Sequence, residues 1–67
     1  MSVAKVTEIS ASSKVSFEDA LKTGVARAAK TLRNIRSAWV KEHSVEISGD
    51  AITEYRVNML VTFVLDD

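Results

Sequence analysis

Few side chains in this 67-residue chain are of types that do chemistry on their own. Trp39, the only tryptophan, carries about 150–250 Å² of aromatic surface and one indole N–H. That suits either packing between subunits or a stacking platform for a flat ligand. Ser37 precedes it by one strand period and adds a small hydroxyl. Arg56 brings a planar guanidinium that stacks on rings or holds carboxylate or phosphate through paired donors. It can equally form an ion pair with Glu42, Glu46 or Glu54 across a subunit boundary, because a partly buried charge needs a partner. His43 could touch a ligand or a metal, although a lone histidine more often does neither. Asp66 and Asp67 read as a solvated tail, with a weak cation site at a symmetry axis as the alternative. Nothing here assembles a catalyst: no nucleophile has a recognisable base, no glycine-rich phosphate loop occurs, and no acid pair falls in an evident pocket. The chain is not expected to be an enzyme.

Composition narrows the class further. A domain of this length buries only about 60% of the surface its unfolded chain exposes, so its core is marginal and needs a staple. There is no cysteine and only one histidine, which leaves neither a disulfide framework nor a structural zinc site. Self-association is the staple that remains. Hydrophobic residues at 46% argue against disorder, and nine acidic against nine basic residues leave no bulk charge to favour nucleic acid or membrane. The opening residues 1–5 lack the apolar core of a signal peptide, and no apolar run approaches a membrane span. A soluble cytoplasmic protein is expected, without nucleic-acid or membrane partners.

The elements that must position these side chains follow from periodicity. Residues 55–65 alternate, with Tyr55, Val57, Met59, Val61, Phe63 and Leu65 on one face and Arg56, Asn58, Leu60, Thr62 and Val64 on the other, the period of a strand. The first face is all apolar. The second still carries Leu60 and Val64, so both faces have something to cover. Residues 3–9 read as a first strand, closed by the small polar run Ser10-Ala11-Ser12-Ser13 as a loop. Ser16 is an N-cap whose hydroxyl accepts from the Asp19 amide, with Glu18 and Asp19 in the first turn. From there Phe17, Leu21, Val25, Ala28, Leu32 and Ile35 recur at three- and four-residue spacing, predicting a helix over 17–34 with Glu18 and Lys22 as an i,i+4 pair. Gly24 on that stripe costs ~1 kcal/mol relative to alanine, which close packing against a sheet would explain.

Residues 37–47 form the next strand, but Ala38 and Val40 share one parity while Val45 and Ile47 share the other. A bulge or bend at 42–44 brings both pairs to one side. Ser48-Gly49-Asp50-Ala51 supplies the turn and the last strand starts near Ile52. The expected fold is α+β, a single domain over 1–67. Its three-stranded antiparallel sheet runs in the order 1-3-2, with the last strand central, wrapped on one helix. Ser37, Trp39 and Lys41 then lie on the uncovered face beside Arg56 and Asn58.

This order of elements, with Ser16-Phe17-Glu18-Asp19-Ala20, Arg27-Ala28, Thr31-Leu32-Arg33-Asn34-Ile35, Tyr55-Arg56-Val57 and Val61-Thr62-Phe63-Val64-Leu65, resembles the dodecins over essentially the whole chain. The resemblance implies a hollow homododecamer with helices outside and open sheet faces inward. It also implies binding and sequestration of flavin, riboflavin or FMN, without turnover. Flavin-binding dodecins stack a tryptophan early in the second strand on the isoalloxazine ring, and the ungapped alignment puts Ser37 there. They place a glutamine after the aromatic residue opening the last strand, where this chain has Arg56. Trp39 lies on the same face as Ser37, about 7 Å further along the strand, so a displaced platform is available. Two readings stay open: a container for flavin or another flat aromatic molecule held by Trp39, Arg56 and Ser37, and a shell that has lost flavin and binds ions or another small ligand, or is purely structural.

Overall fold

The computed structural model describes residues 3–65. The elements run β1 (Ala4–Ser13), α1 (Phe17–Ala28), β2 (Ile35–Ser48) and β3 (Ala51–Val64). Both β1 and β2 pair antiparallel with β3, giving the sheet order β1-β3-β2 with the last strand central, as the alternation predicts.

The start of α1 is set locally. Ser16 is extended (φ −169°, ψ 166°), and its Oγ accepts from the Asp19 amide at 3.0 Å while Glu18 and Asp19 occupy the first turn. Ser13 Oγ donates to Asp19 Oδ2 at 2.6 Å and accepts from the Val15 amide at 2.9 Å, tying the end of β1 to the helix start. Lys22 Nζ lies 3.1 Å from Glu18 Oε1, the i,i+4 pair read from the sequence.

The end of α1 corrects the expectation. The helix stops at Ala28 rather than near Asn34. The amides of Thr31 and Leu32 both fold back onto the Ala28 carbonyl, at 3.1 and 2.8 Å. Asn34 then takes φ 60°, the left-handed region that asparagine tolerates. Its backbone carbonyl accepts from the Val64 amide at 3.1 Å and its side-chain amide donates to the Val64 carbonyl at 3.3 Å. Leu32 and Ile35 still pack against the core, so the apolar spacing continues through a turn and mimics further helix.

The first strand is also longer than expected. Ser10 to Ser13 were expected to be loop, yet they pair with Asn58, Val57, Arg56 and Tyr55 of β3. Pairing with a long central strand outweighs the weak strand preference of serine and alanine. Ala11 in that run faces the helix, where a Cβ built on Gly24 would sit 2.8 Å from the Ala11 Cβ and 2.9 Å from the Met59 Cε. Gly24 and Ala11 together let α1 approach the sheet closely.

In β2 the parity conflict is resolved by a register shift between Val40 and Glu42, which makes Lys41 the extra residue, one position ahead of the expected bend. Val40 opposite Met59 and Val45 opposite Tyr55 thereby fall on the same, helix-covered side. The hairpin turn places Gly49 at φ 62°, the conformation glycine supplies at the first position of a type II′ turn.

The core is small. Ala20, Ala28, Val57, Met59 and Val61 are its buried apolar residues, with Ile9, Phe17, Leu21, Val25, Leu32, Ile35 and Val40 packed around them. The chain measures 51 × 19 × 13 Å with a radius of gyration of 13.8 Å, against about 11 Å for a compact domain of this length. Among the described residues no helix is long and apolar enough to cross a membrane.

Candidate functional site

One helix covers one face of the sheet, so the other is open, and the register orders it into rows. Val6, Thr62 and Ser37 form one row, Glu8, Leu60 and Trp39 the next, then Ser10, Asn58 and Glu42, and finally Ser12, Arg56 and Ser44. Trp39 therefore lies on the uncovered face as expected, and it is 69% exposed. Leu60 beside it is half-buried, and Val6 in the adjoining row is exposed. Together they make an apolar floor next to the indole. Lys41 reaches across this floor, its Nζ 3.7 Å from Glu8 Oε2. The bulge makes that possible, because it frees Lys41 from direct pairing.

Ser37 and Trp39 occupy adjoining rows and are brought together. Arg56 is not brought to them: it stands four β3 residues from Leu60, a distance of about 13 Å along the strand. Its Nη2 donates to Glu54 Oε1 at 3.0 Å and lies 3.8 Å from Glu46 Oε1. The ion pair considered across a subunit boundary thus forms within one chain. Glu46 and Glu54 are direct cross-strand partners, an arrangement that repels without a cation; Arg56 supplies it. Asn58 Nδ2 donates to Glu42 Oε1 at 3.1 Å, so the third acid of this strip is also engaged.

His43 lies on the opposite face. Its ring stacks on Phe17 with centroids 4.7 Å apart and planes inclined by 21°, and Phe17 meets Tyr55 edge-on at 5.2 Å. It closes the helix-side core near the N-terminus of α1 and is remote from Trp39. Asp66 and Asp67 lie outside the described residues. Among those described, no group of three or more His, Cys, Asp or Glu side chains is placed to hold a metal ion.

Two members of this patch went unnoticed in the sequence, Val6 and Glu8, although the alternation of β1 against the central strand carried a signal for both. Lys41 was expected on the uncovered face and lies there, paired with Glu8.

The described family model, Dodecin, matches residues 3–66. Among solved structures, a point variant of the Thermus thermophilus dodecin is 34% identical over 100% of both chains, with a TM-score of 0.95. The dodecin of Streptomyces davaonensis is 30% identical over 98% of this chain and 97% of that one, with a TM-score of 0.94. The calcium dodecin of Mycobacterium tuberculosis, a calcium-chelating immunodominant antigen with a novel calcium-binding site, is 34% identical over 91% of this chain and 87% of its own, with a TM-score of 0.81. No curated protein matches. With a central last strand, a single helix on one sheet face and a family match along nearly its whole length, this chain belongs to the dodecin family.

Proposed function

We propose that this dodecin binds and sequesters a flat aromatic molecule, of which flavin (riboflavin or FMN) is the family's example, inside a homododecameric shell. The observation that carries the reading is Trp39, an indole 69% exposed beside the apolar floor of Leu60 and Val6 on the open sheet face. A planar ring fits there by stacking on the indole. Ser37 offers a hydroxyl in the adjoining row, and the Lys41–Glu8 pair borders the same floor with charge. Arg56 keeps donors that Glu54 does not use, for a carboxylate or phosphate on the ligand. Bound flavin would bring redox and light-absorbing chemistry. The shell works in the cytoplasm with itself and the small ligand as partners. Its outer surface, mixing Lys22 and Glu18 of α1 with Lys30 and Arg33 of the turn that follows, suits water better than nucleic acid or a membrane.

A second reading is a shell that has lost flavin and holds ions or another small ligand. It is favoured by Ser37, which has no ring to stack, by the engagement of Arg56 with Glu54 and Glu46, and by the calcium-chelating relative. Glu46 and Glu54, direct cross-strand partners, would offer carboxylate oxygens of the kind calcium takes.

Titrating riboflavin and FMN while following flavin fluorescence tests both. Quenching that Trp39→Ala abolishes supports the first reading. Absence of quenching at micromolar protein, with a thermal stabilisation by calcium that Glu46→Gln removes, supports the second. Light scattering checks the shell, and a stable monomer would sink it.

A further inference from the structure

Lys41 is the bulged residue of β2 and has no direct partner in β3, the situation in which a strand re-aims a side chain. The acid next to it in the chain, Glu42, is held by Asn58 Nδ2 at 3.1 Å. Lys41 reaches instead across the central strand to Glu8 of β1, where its Nζ stops 3.7 Å from Oε2 and both side chains are 49% exposed. That separation makes an ion pair but is too long for a hydrogen bond. An exposed pair of this kind adds little to stability. Among the described residues neither head group has another partner. The ammonium therefore keeps its donors and the carboxylate its acceptor lone pairs.

Glu8, Leu60 and Trp39 share one row of the open face. The indole and the Glu8 carboxylate thus stand at opposite ends of a floor two inter-strand spacings wide, about 10 Å. Leu60 lies in its middle, Val6 extends it into the adjoining row, and the methylene stem of Lys41 borders it with apolar surface. A fused ring system stacked on Trp39 covers Leu60 and brings its far edge to the two head groups. A single ring falls short of them.

We propose that Lys41 and Glu8 read the edge of the ring stacked on Trp39, and that they select a fused heteroaromatic in which a ring N–H adjoins a ring C=O, a cyclic amide or imide. The Lys41 ammonium donates to the carbonyl, and the Glu8 carboxylate accepts from the N–H. A carboxylate or phosphate at that edge meets Glu8 as a like charge. A hydrocarbon edge strips water from both head groups and gives no hydrogen bond in return. Arg56, about 13 Å along the strand from Leu60 and engaged by Glu54 and Glu46, stands too far off to read the same edge. The selection rests on the stacking at Trp39 proposed above and narrows its ligand.

Riboflavin carries such an edge, an N–H between two carbonyls, and 3-methylriboflavin has a methyl group in place of that proton. In titrations of both followed by flavin fluorescence, riboflavin should bind at least about tenfold more tightly, the worth of a hydrogen bond to a charged group. Glu8→Ala should weaken riboflavin and bring the two affinities together. Lys41→Met should weaken both flavins, and Lys41→Arg, which keeps a donor, should restore binding. Equal affinity of the unaltered protein for the two flavins, with quenching that Trp39→Ala still abolishes, would overturn the edge selection and leave the stacking in place. Quenching of neither flavin at micromolar protein would overturn both. The ratio measured on the unaltered protein decides even where a variant fails to fold.

Discussion

The two faces of β3 belong to one strand but meet opposite conditions. On the covered face Val57, Met59 and Val61 are 1%, 0% and 0% exposed, and the approach of α1 is tight enough that Gly24 has no room for a Cβ. On the open face Arg56, Asn58, Leu60 and Thr62 are only half-buried. Arg56 and Asn58 make ion pairs and hydrogen bonds there to Glu54, Glu46 and Glu42. The contrast teaches where this small domain keeps its stability and where it is free to change. Ser37 and Arg56, the two positions at which the resemblance to flavin-binding dodecins implies other residues, sit on the open face. A binding site can be rewritten there without disturbing the packing that holds the fold.

Substitutions on the two faces can break or sharpen this contrast, with stability compared at fixed chain concentration because assembly contributes to it. The largest effect is expected from Met59→Ala. Removing a fully buried side chain costs about 2–5 kcal/mol, and thermal unfolding followed by circular dichroism should show a lowered or lost transition. A variant as stable as the parent would contradict the assignment of the core to this face.

Gly24→Ala comes next, and its sign is informative. In an exposed helix the change would stabilise by ~1 kcal/mol. Here the new methyl would crowd Ala11 and Met59, and overpacking of about 1–3 kcal/mol makes the net effect destabilising. Urea denaturation that finds Gly24→Ala stabilising would show that the helix and sheet can part at little cost.

Ser16→Ala removes the acceptor of the Asp19 amide and should cost about 1 kcal/mol, measured by the same denaturation. On the open face, Trp39→Ala should change monomer stability by no more than about 0.5 kcal/mol, as for a surface site, while abolishing any flavin quenching. A large stability loss there would merge the two faces into one structural unit. Smallest is Lys22→Ala, which breaks an exposed i,i+4 pair and should be worth about 0.3–0.5 kcal/mol.

Much of the covered face was legible in residue order. The alternation along 55–65, the cap at Ser16, the Glu18–Lys22 pair and the close packing at Gly24 all depend on neighbours within a few residues, or on a periodicity that needs no partner to be seen. The open face was legible only as to side. Trp39 and Arg56 were assigned to it correctly, but the rows they occupy, and hence the separation between them, depend on the pairing of distant strands. The side of His43 was not read from the sequence, and it is set by the same pairing, because Lys41 is the bulged residue and His43 then lies opposite Val57.

The sequence by itself determined the element order, the β1-β3-β2 arrangement, the apolar face of the last strand and the start of the helix, because these follow from local spacing and capping chemistry. Only the tertiary structure decided that α1 stops at Ala28, that Ser10 to Ser13 extend β1, that Lys41 carries the bulge and that Arg56 is shared by Glu54 and Glu46. Each of these is settled by a long-range contact: Asn34 bonding to Val64, β1 lying along β3, and β2 keeping Val40 and Val45 on one face. Such contacts join residues far apart in the chain, and no local propensity ranks one register above the next until the strands are paired.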